Sequence, residues 1–192
     1  MKTLSRSRRR ISARSRQFIY FIVTLVSALL CVLVLPTRMP GTELLGIGPN
    51  WLLIWVVAWS IRRKRTVLGA ALVGLTFGFL QDAMTAPWPS HAVSLVAVGI
   101  LTVLLQKTWS VPADIIERDP IPVALIVFVM ALVAETVMGL QFWSTGDRTL
   151  MEIWSYHQRV ALCSAILSSL WTPVIYFPLN RVWEMTRNLE KS

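Results

Sequence analysis

The sequence predicts an all-α fold: a polytopic membrane helix bundle of about six transmembrane helices. Three observations carry this. Of the 192 residues, 55% are hydrophobic, and the mean hydropathy is +0.59. Only 15% are charged, against about 25% in soluble domains. The apolar residues come in long runs, and ~20 such residues in a helix cross a hydrocarbon layer ~30 Å thick. The length suits one bundle with no separate soluble domain. It divides into a basic tail over 1–16, a six-span membrane domain over 17–180 and a second tail over 181–192.

Residues 1–16 carry seven cations, Arg8, Arg9 and Arg10 among them, and no acid. The apolar run 18–35 ends in Pro36, Thr37 and Arg38 without a small-residue cleavage site, so it reads as an uncleaved first span. The basic tail reads as topogenic and as a contact for anionic lipid rather than as a nucleic-acid arm. Pro36, Pro40, Gly41, Gly46 and Gly48 break any helix in the following loop.

The stretch 49–91 organises the rest. Residues 49–61 are apolar but only 13 long, which is marginal for a span. Arg62, Arg63, Lys64 and Arg65 then form a turn that resists translocation and belongs on the cytoplasmic side. The third span, 66–82, carries a small-residue stripe of Ala70, Gly74 and Gly78 that ends on Asp82. Such spacing lets two membrane helices approach closely and marks a packing or partner interface. An acid at a helix C-terminus opposes the macrodipole, so Asp82 is expected either to have a partner or to end the span in headgroup water.

Pro87 and Pro89 stiffen the next loop, and Ser90 is placed to N-cap a fourth span over 91–106. The mixed-charge segment 107–121 leads into a fifth span over 122–142. A loop over 143–158 precedes a sixth span over 159–179, where Pro173 and Pro178 are expected to kink the helix. Sixteen of the 19 cations fall on the segments placed inside. Arg38 and Arg148 fall outside and Arg159 lies at a span edge, so both termini are expected in the cytoplasm. Trp51, Trp88, Trp109, Trp143, Trp154 and Trp183 lie near span ends, as an aromatic belt requires.

Few residues carry chemistry. Glu135 sits near the middle of the fifth run, where a carboxylate must be neutral or partnered and face the bundle interior. It reads as a buried structural hydrogen bond, a ligand contact or a proton site. No second ionisable group in the spans is expected beside it. Cys31 and Cys163 lie in apolar runs and read as buried thiols. His91 and His157 are expected at span starts on one side, and neither has a neighbouring Cys or His that would make a metal site. No phosphate loop, dinucleotide fingerprint, HExxH or GxSxG occurs. No cofactor and no enzymatic activity are expected.

The order of features resembles the rod shape-determining MreD family. The resemblance rests on PNWLLIWVVAW after a Gly-rich loop, a short basic turn, GAALVGLTFGFLQD, and a Pro-containing loop to SHAVSL. Its positions here are Pro49, Gly69, Gly74, Gly78, Asp82 and His91, and it covers 46–105 best. The resemblance implies a non-enzymatic inner-membrane scaffold of the cell-elongation machinery, similar in fold to substrate-binding subunits of energy-coupling-factor transporters. It implies binding to MreC, and work alongside MreB, the transpeptidase and the glycosyltransferase in lateral peptidoglycan synthesis. The shared fold keeps a second class open, a vitamin-type binding subunit of such a transporter. Its outer pocket would draw on Trp88, His91, Trp143, His157 and Glu135.

Overall fold

The computed structural model describes residues 13–34, 41–62, 66–85, 88–109, 119–146 and 149–191. Six helices occur among them: α1 (Ala13–Val34), α2 (Trp51–Ser60), α3 (Val67–Met84), α4 (His91–Trp109), α5 (Pro120–Ser144) and α6 (Leu150–Lys191). Four stretches are long and apolar enough to cross a membrane: Val67–Met84, His91–Thr108, Pro120–Ser144 and Met151–Glu184. Phe21–Val34 of α1 and the whole of α2 are shorter apolar helices.

Exposed apolar side chains recur at helical spacing on the outer faces. Leu68, Leu72, Leu75 and Phe79 do so on α3, and Leu162, Ile166, Leu170 and Val174 on α6. Stripes of that extent are not stable against water but match lipid tails. The chain is a helical membrane protein.

The segment 49–61 departs from the expected span. Helix α2 has ten residues and rises ~15 Å, about half the hydrocarbon thickness. Leu52 to Ala58 are all buried, and α2 touches every other helix. A helix apolar on every face has no side to give to water and belongs at the centre of a bundle. Here the remaining helices wrap it. Asn50 N-caps α2, its Oδ1 accepting from Leu53 N at 3.0 Å, while its own N–H donates to Ser168 Oγ of α6 at 3.0 Å. At the other end the Ile61 carbonyl accepts from the Gln106 side chain of α4. Both termini of the short helix are thus held by side chains of long ones.

The loop before α2 folds back into the bundle. Leu44 and Ile47 exchange two backbone hydrogen bonds, at 2.9 and 3.0 Å, around a two-residue turn. Leu45 and Gly46 both have positive φ, as a type I′ turn demands.

Helix α3 packs along α4, and α5 along α6. The sixth helix starts before the expected loop has ended. Thr149 and Glu152 form a reciprocal capping box: Thr149 N donates to Glu152 Oε2 at 3.1 Å, and Glu152 N to Thr149 Oγ1 at 3.4 Å. Asp147, Arg148 and Glu152 lower the hydropathy of this segment, but a cap rather than hydropathy sets the helix start. Residues expected in the C-terminal tail, up to Lys191, continue the same helix, which also runs through Pro173 and Pro178.

Trp183 corrects the aromatic-belt reading. It is fully buried, donates from Nε1 to Thr24 Oγ1 of α1 at 3.3 Å, and lies under the Arg62 guanidinium at 4.3 Å. Trp88, Trp143 and Trp154 are exposed. Arg8, Arg9, Arg10, Arg63, Lys64 and Arg65 lie outside the described residues.

Candidate functional site

The small-residue stripe packs within the chain. A Cβ on Gly74 would overlap the Leu95 backbone of α4, and one on Gly78 would overlap that of Ala92. From the opposite side, a Cβ on Gly99 would lie 2.7 Å from the Ala70 carbonyl oxygen. Ala70, Gly74 and Gly78 are therefore the places where α3 meets α4 backbone to backbone.

Asp82 ends that stripe and finds its partner in the next helix. Its Oδ1 accepts from the His91 backbone N–H and from His91 Nδ1, each at 2.7 Å. Its Oδ2 accepts from Ser90 Oγ at 2.7 Å. Ser90 Oγ in turn accepts from Ala92 N at 3.2 Å. The carboxylate opposes the dipole of α3 but sits at the positive end of α4, so the second helix compensates the first. From α5, Gln141 clamps the same point: its Oε1 accepts from Ser90 N at 2.9 Å and its Nε2 donates to the Ser90 carbonyl at 3.1 Å. Three helix ends are joined at one residue pair.

Behind this junction lies a cavity of about 290 Å³. The folded-back loop forms one wall with Thr42, Glu43 and residues 46–50, so a second carboxylate, Glu43, borders the cavity beside Glu135. Gln81, His91 and Ser94 from the α3–α4 hairpin, Glu135 from α5 and Ser164 from α6 form the others. Two lining groups have no hydrogen-bond partner among the described residues. These are Gln81 Oε1 and Ser94 Oγ, on residues only 7% and 3% exposed. His91 donates from Nδ1 to Asp82, so a neutral ring presents Nε2 as an acceptor.

Glu135 also borders a second space, a largely apolar groove of about 510 Å³ between α5 and α6. Trp143, Trp154 and His157 line that groove. His157 Nδ1 lies 3.7 Å from Glu135 Oε2, an ionic distance beyond hydrogen-bond length. This corrects the expectation that Glu135 has no ionisable neighbour. Because α6 begins at Leu150, His157 lies two turns inside the helix rather than at its start. The ring packs beside Gly139, where even a Cβ would make only ordinary contact with the imidazole, at 3.7 Å.

The expected single pocket is thus divided. His91 and Glu135 share the polar cavity, and Glu135, Trp143 and His157 share the groove. Trp88 lines neither of these spaces and is exposed. Asn50, Gln81, Ser94 and Gln141 were not singled out from the sequence. Their signal was present, since each is a polar residue in or beside an apolar run. A third space, about 680 Å³ and almost wholly apolar, opens between α1 and α6 beside Trp51, Trp55 and Trp171. No group of three or more His, Cys, Asp or Glu among the described residues could hold a metal ion.

Searches against protein-family models, curated proteins and solved structures found no match to this chain.

Proposed function

We propose that this chain is a non-enzymatic inner-membrane scaffold of the bacterial cell-elongation machinery, of the MreD type. It would bind an MreC-type single-span periplasmic protein and help organise lateral peptidoglycan synthesis. The carrying observation is that the residues behind the resemblance form one contiguous unit. Pro49 leads into buried α2, Gly74 and Gly78 seat α3 on α4, and Asp82 holds His91 across the intervening loop. Such a unit supplies a rigid platform, while the outer faces of α1, α3 and α6 remain apolar and open to lipid or to partner helices.

The cation distribution puts the Arg62 end of the bundle in the cytoplasm and the Asp82 end outside. The basic N-terminal tail would rest on anionic lipid or on the cytoskeletal partner.

Glu135 tests the reading. A structural role needs a hydrogen-bonding group rather than a charge. Glu135→Gln should therefore insert at normal levels, restore rod shape in a depleted strain and co-purify with the MreC-type partner. Normal membrane levels without rescue would remove the scaffold account of this residue.

A second reading is a vitamin-type binding subunit of an energy-coupling-factor transporter. The observation that favours it is the polar cavity behind the Asp82–His91 junction. Retention of a vitamin by the purified chain would place this reading first.

A further inference from the structure

The polar groups that line the cavity from α3, α4 and α5 can all accept a hydrogen bond. Gln81 Oε1 can only accept, and the carboxylate of Glu135, when ionised, can only accept. The Ser94 hydroxyl can do either. Gln81 Oε1 and Ser94 Oγ have no hydrogen-bond partner among the described residues, and both side chains are more than nine-tenths buried. Glu135 has His157 near it, at 3.7 Å and on the groove side. No Lys or Arg lines the cavity among the described residues.

Asp82 is in a different position. Its two oxygens are taken by Ser90 Oγ, His91 N and His91 Nδ1, and it holds His91 in place without itself lining the cavity. Gln81, Ser94 and Glu135 line a space of about 290 Å³, at the small end of the ~300–1,000 Å³ range of ligand pockets. Trp51 adds an aromatic wall. An acceptor-rich, acid-bearing cavity beside an indole suits a compact cation that donates several hydrogen bonds.

We propose that this cavity is a binding site for a small organic amine in its ammonium form. Glu135 supplies the counter-charge, Gln81 Oε1 and Ser94 Oγ accept from the ammonium group, and Trp51 covers the apolar body. The loop over 46–50 forms one wall of the site. The site stands on the geometry of the cavity and holds for either functional reading above.

The experiment uses the full chain, purified in detergent and reconstituted in nanodiscs. Binding is measured by calorimetry and by ligand-induced change in the melting temperature. Three probes share one ring and differ in one group: tyramine is cationic, tyrosol neutral and 4-hydroxyphenylacetate anionic. A charge-assisted hydrogen bond is roughly twice as strong as a neutral one. Tyramine should therefore bind at least about tenfold more tightly than tyrosol, and the anion should bind more weakly still.

Glu135→Gln should remove most of that preference, and Ser94→Val, which fills part of the cavity, should weaken all three probes together. The ranking on the parent chain needs no variant, so it decides the matter even if a variant fails to fold. Equal affinity for tyramine and tyrosol, a preference for the anion, or no binding of tyramine at millimolar concentration would overturn the proposal. So would an unchanged preference in a folded Glu135→Gln protein.

Discussion

A single methyl group at Gly78 should loosen the centre of this protein. The added Cβ would lie 2.9 Å from Ala92 Cβ and would overlap the Cα and amide nitrogen of the same residue. Non-bonded carbons sit ~3.5–4.0 Å apart, so α3 and α4 must separate by on the order of 1 Å. The obstructing atoms are backbone and cannot rotate away. Overpacking of this kind destabilises by ~1–3 kcal/mol, and the rigid obstacle puts Gly78→Ala near the upper end.

Separation also acts one turn further along, where Asp82 holds Ser90 and His91 through three contacts of 2.7 Å. Gly78→Leu, which is larger and strains that junction more, should exceed ~3 kcal/mol. For a chain of this size 1 kcal/mol moves the melting temperature by ~2–4 °C, so Gly78→Leu should fall by ~6 °C or more.

Thermal unfolding of the detergent-purified protein, followed by tryptophan fluorescence, reads this directly. Two controls bracket it. Gly139→Ala meets nothing closer than 3.7 Å, and Leu75→Ile lies on the exposed face of α3; both should stay within ~1 kcal/mol of the parent. Equal losses at Gly78 and Gly139 would show that α3 and α4 do not meet through the stripe.

Asp82→Leu removes an acceptor shared by three donors and should lower stability by ~3 kcal/mol or more, whereas Asp82→Asn keeps one carbonyl oxygen and should lose about half as much; chemical denaturation of the two variants side by side checks the ratio. Trp183→Phe should cost ~0.5–1.5 kcal/mol through the lost bond to Thr24, and Trp183→Ala ~3–5 kcal/mol through the cavity it leaves, both read as melting shifts. Leu45 holds a left-handed φ of 55° at 80% exposure, so Leu45→Asn should raise stability by up to ~1 kcal/mol; a lower melting temperature would mean that the leucine makes an apolar contact worth more than the strain.

Hydropathy alone identified the membrane class, because burying long apolar runs in lipid requires nothing from the rest of the fold. The spacing of Ala70, Gly74 and Gly78 likewise exposed a close-packing face, since i, i+4 periodicity is local to one helix. What that face meets is not local. Only the folded chain shows that Ala92, Leu95 and Gly99 of α4 receive it.

Helix α2 marks the limit most clearly. Its residues are apolar on all sides, so no moment told a membrane span from a buried post, and that decision came from the five helices around it. The start of α6 was legible in the Thr149–Glu152 capping box, but hydropathy hid it, and with it the approach of His157 to Glu135. The Asp82 carboxylate could be suspected of needing a partner from its place at a helix end. The partner itself, the N-terminus of α4, depends on the loop that turns the chain back. Of the polar cavity the sequence suggested only His91 and Glu135, and the rest was hidden for the same reason. Its walls come from five separate segments, and side chains that are individually unremarkable become a site only where the helices converge.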